Sequence, residues 1–138
     1  TCAGGNQTHM VRDFHGLPVL FGDSHAATSV TWLLEQLDGR PIDVLVLDGD
    51  HSVDGIYEDL AMYGPLVRPG GLILLHDIRS EGDPRAEVHK VWPDLMTAAE
   101  MGGHTVEEIV SPVRPFGWGV IRVGQEAYVP PNLRESVS

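Results

Sequence analysis

The stretch Ile42-Asp43-Val44-Leu45-Val46-Leu47-Asp48-Gly49-Asp50-His51 decides the fold. Five of its first six residues are Ile, Val or Leu, a pattern typical of a central parallel strand that is buried on both faces. A polar cluster follows at once, from Asp48 to His51. Ligands of open α/β sheets bind beyond the carboxyl ends of the strands. The stretch therefore predicts a central strand and, directly after it, one edge of a site.

The rest of the chain alternates between strand and helix patterns. A short apolar strand and a helix with an apolar stripe precede the central strand. A helix capped by Ser52 follows it, and then a second wholly apolar strand that ends in His76-Asp77. A further helix and two closing strands complete the pattern. The predicted ranges are Leu17–Phe21 for the first strand, Leu72–Leu75 for the second apolar strand, Ala86–Met101 for the last helix, and Thr105–Val110 and Gly117–Val123 for the closing strands. This alternation predicts an α/β fold with a doubly wound, mostly parallel, Rossmann-like sheet.

The length of 138 residues suits a single domain. Within it we expect a loop over residues 1–16, a core over 17–123 and a surface tail over 124–138. The tight turn Arg68-Pro69-Gly70-Gly71 separates the second helix from the strand that follows it.

Bulk composition excludes several classes of partner. The formal net charge is -11, which disfavours nucleic acids and anionic membrane surfaces because both need a cationic face. No apolar run approaches the roughly 20 residues that span a bilayer. The single cysteine, Cys2, cannot form an internal disulfide, so nothing favours an oxidising compartment. We therefore expect a cytoplasmic protein.

Two polar clusters should meet if strands 42–47 and 72–75 are neighbours. One is Asp48 to His51, and the other is His76-Asp77. Carboxylates and imidazoles crowded together repel unless a cation or protons intervene. Carboxylate oxygens suit Mg²⁺, and an added imidazole extends the choice to Mn²⁺ or Fe²⁺. Each residue alone could simply cap a helix or bind water, but the two clusters together favour a functional site.

These residues also carry a resemblance to a known family. The segment 42–52, the spacing through Tyr57-Glu58-Asp59-Leu60 to the turn ending at Gly71, and the pair His76-Asp77 resemble class I S-adenosylmethionine (SAM)-dependent methyltransferases. The subgroup they resemble contains cephalosporin hydroxylase-like proteins and macrocin-type sugar O-methyltransferases. The resemblance covers residues 17–123. It implies SAM as cofactor and methyl transfer to a hydroxyl of a small-molecule acceptor.

The resemblance also assigns roles to individual positions. Asp48 matches a metal-binding aspartate, and His76-Asp77 matches a metal-binding Glu-Asp pair, with His76 standing where the relatives have Glu. His51 matches a histidine proposed as general base. Asp23 would accept a hydrogen bond from the adenine amino group, and the backbone of Ser24 would meet the edge of the ring. The implied metal is Mg²⁺ or another divalent cation.

Two features of the family are not found in the sequence. These are the glycine-rich motif of the first strand and the acidic residue that ends the second strand, which bind the methionine and ribose parts of the cofactor. We therefore expect an N-terminally incomplete fold that alone binds SAM poorly or not at all, with residues 42–123 keeping a half-sheet. The exposed edge of strand 42–47 could then pair with another copy of the chain.

Two other functions remain open on the sequence. Val46-Leu47-Asp48-Gly49-Asp50 matches the nucleophile motif of haloacid-dehalogenase-like, Mg²⁺-dependent phosphotransferases, in which Asp48 would attack phosphorus and Asp50 would act as acid and base. That motif normally opens its fold, whereas a strand and a helix precede it here. The third hypothesis is a non-catalytic, truncated Rossmann-like module that serves association.

Overall fold

The computed structural model describes residues 9–14, 17–21, 24–48, 52–79, 87–113 and 117–131, the first two ranges as backbone only. The chain forms two compact units, Thr1–Arg40 and Pro41–Ser138. Among the described residues, no helix has the length and apolar character that crossing a membrane requires.

The first unit contains a two-stranded antiparallel sheet and one helix. Strand β1 (His9–Phe14) pairs with β2 (Leu17–Phe21), and helix α1 spans Ala27–Leu37. The prediction of a loop over residues 1–16 is therefore wrong for His9–Phe14, because the backbone groups of β2 find their hydrogen-bonding partners there. Strand β2 has the predicted bounds, but its partner is antiparallel. The predicted apolar stripe of α1 is not buried, and Leu34 is 47% exposed.

The second unit is built on a four-stranded sheet. Strands β3 (Ile42–Leu47), β4 (Val67–His76), β5 (Thr105–Ile109) and β6 (Trp118–Arg122) lie in the order β3-β4-β6-β5. Strands β3 and β4 are parallel, and β6 runs antiparallel to both β4 and β5. Three of the four strands thus point the same way. The predicted α/β architecture with a mostly parallel sheet is confirmed.

Helices α2 (Val53–Tyr63) and α3 (Val88–Met101) contact each other and cover one face of this sheet. The Ser52 hydroxyl accepts a hydrogen bond from the Gly55 N–H at 3.1 Å, as its position in the sequence predicts. Glu87 Oε1 accepts the Val53 N–H at 2.8 Å. These two bonds satisfy N–H groups that the first turn of a helix leaves without partners. Helix α2 therefore begins directly after the polar cluster that follows β3.

The core lies between this pair of helices and the sheet. The apolar residues that the two helices turn toward the sheet are buried, with Leu60 and Leu95 fully inaccessible. Trp92 of α3 lies so close to Gly119 of β6 that a Cβ on Gly119 would be 2.5 Å from the indole ring. Gly119 pairs with Leu75, so the face that carries Leu75 is the face that the helices cover.

Strand β3 is not the central strand that its apolar run predicts. Within the part of the chain that the structure describes, it pairs only with β4 and ends the sheet. Side chains alternate across a strand, and Val44 and Val46, on the face away from the helices, are 49% and 51% exposed. The half-sheet predicted over residues 42–123 corresponds to this four-stranded sheet, whose strands all lie between Ile42 and Arg122.

The Arg-Pro-Gly-Gly segment lies inside β4 instead of ahead of it. Ile42 pairs with Val67 and Val44 with Leu72, so β4 advances five residues while β3 advances two. The three extra residues form a bulge in which Gly70 has a φ of +82°, a conformation that glycine adopts without strain. Gly70 thus supplies the positive φ for which glycine is suited in a turn, although the element around it is a strand.

The segment after Gly124 is not wholly a surface tail. The Gly124 N–H donates to Nδ1 of His104 at 2.9 Å, and the Tyr128 ring lies 5.3 Å from the His104 ring. Tyr128 is 1% exposed. The prediction of a surface tail over residues 124–138 is wrong at this position because burial of the aromatic ring fixes the segment on the core. That the whole chain is one domain stays a prediction.

Candidate active site and metal centre

The carboxyl ends of β3 and β4 bring the two predicted clusters together. Leu47 pairs with Leu75 in the parallel ladder, and the next residue on each strand is polar. These residues are Asp48 and His76, and Asp77 follows His76 directly. Neighbouring parallel strands end at the same edge of a sheet. The local sequence pattern and the register of one strand pair are therefore enough to build the site.

The three side chains meet within a few ångströms. His76 Nδ1 lies 2.9 Å from Asp77 Oδ1 and 3.1 Å from Asp48 Oδ1. One ligand atom from each of the three residues falls within 4.8 Å of the others. The exposed fractions of the side chains differ, at 52% for Asp48, 29% for His76 and 12% for Asp77. The cluster is thus closed on the Asp77 side and open to solvent on the Asp48 side.

Strand β6 and Gly117, the residue before it, hold two members of the cluster in place. His76 pairs with Trp118 in the ladder, and their ring centroids are 4.4 Å apart at an interplanar angle of 53°. The Asp77 N–H donates to the Gly117 carbonyl at 2.9 Å. Asp77 adopts a φ of 68°, a left-handed conformation that is uncommon for residues other than glycine and clusters at functional sites. With this backbone conformation, the Asp77 carboxylate lies beside the His76 ring.

The imidazole nitrogen within the cluster has an unusual environment. Nδ1 of His76 is buried and has no hydrogen-bond partner among the described residues, although two carboxylate oxygens lie at ion-pair distance. The nitrogen therefore does not point directly at either oxygen. Buried polar atoms ordinarily have partners, so this position calls for a group that the described side chains do not supply.

A divalent cation fits this arrangement. Neighbouring ligands of an octahedral ion with bonds of about 2.0–2.1 Å are separated by about 2.8–3.0 Å. The two distances from His76 Nδ1, 2.9 and 3.1 Å, are close to that separation. In an octahedron each ligand points about 45° away from its neighbour and toward the ion, which agrees with a nitrogen that forms no hydrogen bond with either oxygen. The donor set of two carboxylates and one imidazole suits a divalent metal.

The structure describes some of the site residues that the sequence predicts, while others lie outside the described ranges. Asp48, His76 and Asp77 are brought together. Asp23 and His51, together with Asp50, lie outside the described residues. Ser24 lies in an exposed turn of the first unit.

Sequence reasoning missed the contribution of β6. Neither Trp118 nor Gly117 has a predicted role in the site. In the structure Trp118 is half-buried against the His76 ring. The available signal was the position of Trp118 at the start of a closing strand, but only the antiparallel register shows that this start faces the end of β4.

Comparisons with known proteins agree with this architecture. Residues 7–78, more than half of the chain, match the family described as "Methyltransferase domain". No curated protein sequence matches the chain. Among solved structures, MycE methyltransferase from the mycinamycin biosynthetic pathway, in complex with Mg and SAH, superposes with a TM-score of 0.54 at 18% identity and 91% coverage of this chain. A second MycE structure, with Mg, SAH and mycinamycin VI, gives 0.53 at 17% identity and the same coverage.

The matched part is a limited share of these proteins. The chain spans 39% of the length of both MycE structures. The structural likeness establishes the fold, and the sequence match establishes the family. The helices and sheet of this chain are those of the class I α/β methyltransferase fold, and the chain belongs to the methyltransferase-domain family.

Proposed function

We propose that the chain carries the acceptor side of the reaction centre of a SAM-dependent O-methyltransferase that acts on a hydroxyl of a small molecule. The observation that carries the proposal is the convergence of Asp48, His76 and Asp77 at the carboxyl edge of the sheet. In a chain of the methyltransferase-domain family, that edge is where ligands bind. Family membership favours methyl transfer over the phosphotransferase hypothesis.

The structural neighbours support the choice of donor and metal. The MycE structures contain Mg and SAH, and one also contains mycinamycin VI. The proposal extends SAM as cofactor, and a divalent cation such as Mg²⁺, to this chain. The acceptor is assigned only as a class, a small hydroxylated molecule.

The three residues of the cluster, Asp48, His76 and Asp77, would together hold the cation. A divalent cation bound there would lower the pKa of an acceptor hydroxyl. Trp118 and Gly117 fix the His76 ring and the Asp77 backbone, so both ligands are oriented before an acceptor arrives. The exposed Asp48 side leaves room for the acceptor to approach.

The remaining roles come from the sequence resemblance. His51 would accept the hydroxyl proton, and Asp23 and Ser24 would bind the adenine of SAM. Methyl transfer from a sulfonium is an in-line displacement, so holding the acceptor oxygen in line contributes much of the acceleration. A general base contributes about 10²–10⁴-fold, and replacing His51 with Ala should lower turnover by that factor.

The test is transfer of a labelled methyl group. A protein that contains this chain is incubated with methyl-labelled SAM, a divalent metal salt and a panel of glycosides and phenols, and methyl ethers are identified by mass spectrometry. A parallel reaction contains an aryl phosphate and Mg²⁺. Methylation of an acceptor hydroxyl is the expected result. Phosphate release without methylation would instead support the phosphotransferase hypothesis.

A further inference from the structure

We propose that His76 makes this cluster a site for a divalent transition metal, and that it selects Mn²⁺ over Mg²⁺. The inference rests on the proposed function only for the location of the site. It concerns the choice of ion, which can be measured by binding alone.

The donor set is the first argument. Mg²⁺ takes oxygen ligands and gives up its water reluctantly, whereas imidazole nitrogen suits metals of the first transition series. The cluster offers one imidazole and two carboxylates. Two hard oxygens with one borderline nitrogen match Mn²⁺, which accepts carboxylates and water as readily as Mg²⁺ does and also binds nitrogen.

The fixed position of the ring is the second argument. His76 Nδ1 is buried, it lies 2.9 and 3.1 Å from the two carboxylate oxygens, and its ring is held against Trp118 with centroids 4.4 Å apart. The imidazole therefore stays within the cluster when an ion enters. A Mg²⁺ ion bound only by the carboxylates and water would leave Nδ1 desolvated without a partner, and that costs free energy. A metal that accepts nitrogen removes this cost.

The open side of the cluster is consistent with such an ion. Asp48 is about half exposed, whereas Asp77 is almost fully buried. Three protein ligands with one solvent-facing side leave further positions for water or an acceptor oxygen. The selectivity therefore depends on one residue, His76, because the other two ligands are carboxylates that serve either ion.

Direct binding tests the inference on the full 138-residue chain. The metal-free protein is titrated with MnCl₂ while free Mn²⁺ is followed by electron paramagnetic resonance, and MgCl₂ is then added as competitor. We expect a Kd for Mn²⁺ at least roughly tenfold below that for Mg²⁺. His76→Glu supplies a third carboxylate in place of the imidazole and should bring the two Kd values several-fold closer together.

The control variant is His89→Gln. His89 is a half-buried histidine in the first turn of α3, and it belongs to no candidate metal group among the described residues. The ratio of the Mn²⁺ and Mg²⁺ Kd values in this variant should equal that of the unmodified chain. Thermal melting shows that each variant folds, and His76→Gln replaces His76→Glu if the latter does not. Equal Kd values for the two ions in the unmodified chain, an unchanged ratio in the His76 variant, or no Mn²⁺ binding would overturn the inference. Mn²⁺ selectivity without any methyl transfer would instead count against the proposed function alone.

Discussion

The indole N–H of Trp92 donates a 2.7 Å hydrogen bond to Glu108 Oε2 and thereby joins α3 to β5. The other carboxylate oxygen, Oε1, accepts from Arg79 Nη2 at 3.0 Å. Arg79 lies two residues after Asp77, so Glu108 links the helix layer, the far end of the sheet and the loop beyond the cluster. The hydrogen bond from Trp92, with help from Arg79, holds the pKa of Glu108 below its ordinary value.

This link should be measurable as stability. Trp92→Phe removes the donor and leaves the carboxylate with Arg79 alone, so the free energy of unfolding should fall by about 1–3 kcal/mol. Urea denaturation measures the loss. The control is Glu107→Gln, at an exposed neighbour on β5, which should change the free energy by less than about 0.5 kcal/mol. A Trp92→Phe protein as stable as the unmodified chain would contradict the assigned role of the bond.

The close approach of α3 to β6 depends on Gly119. A Cβ at this position would lie 2.5–2.7 Å from three atoms of the Trp92 ring, so Gly119→Ala should destabilise the protein by about 1–3 kcal/mol through overpacking. The double variant Gly119→Ala/Trp92→Leu provides the check, because a smaller side chain makes room for the methyl group. The cost of Gly119→Ala should therefore be smaller in the Trp92→Leu background. An equal cost in both backgrounds would show that the strain lies elsewhere.

His104 should make stability depend on pH. Burial lowers the pKa of His104 below its ordinary 6.5, and its Nδ1 must stay unprotonated to accept the Gly124 N–H. Below pH 6.5 the unfolded chain therefore binds a proton at His104 more readily than the folded chain does. The free energy of unfolding falls as the pH drops through this range. The pKa values of Glu87 and Glu108 are also lowered, but these carboxyl groups change the free energy of unfolding below pH 4.5. Their effect is therefore separate from the pH range in which His104 acts. Melting curves between pH 8 and pH 5 should show the loss, and His104→Gln should flatten it; a slope that the substitution leaves unchanged would remove His104 as the cause.

A bound cation should stabilise the fold. An ion that binds only the folded state at 100 times its Kd adds about 2.7 kcal/mol, so saturating Mn²⁺ should raise the melting temperature and a chelator should reverse the rise. Asp48→Asn removes the charge of one proposed ligand and should abolish most of the shift. An equal shift in the Asp48 variant would place the ion at another site.

The local parts of the fold and site could be predicted from the sequence. The apolar runs at β3 and β4 and the polar residues that follow them are contiguous signals, so Asp48, His76 and Asp77 could be chosen before the structure was known. Ser52 as a helix cap is a signal of the same kind, since the cap lies three residues from the N–H that it binds.

The long-range parts could not be predicted in this way. The contact of Trp118 with His76 depends on the antiparallel register between β6 and β4, which the sequence of either strand leaves open. Tyr128 is buried because distant segments, at Gly64 and His104, provide its surroundings. Strand β1 forms because β2 needs a partner, although the composition of residues 1–16 is typical of a loop.

The central claim is that the cluster of Asp48, His76 and Asp77 is the reaction centre of a methyltransferase. The most direct measurement is the rate of labelled methyl transfer from SAM to an acceptor hydroxyl for Asp77→Asn and for Glu107→Gln, with folding checked by melting curves. Asp77→Asn keeps the shape of the side chain but removes the charge of a ligand, so its rate should fall by more than roughly tenfold, while the Glu107 variant keeps the full rate. A folded Asp77→Asn protein that transfers methyl groups as fast as the unmodified protein would contradict the claim.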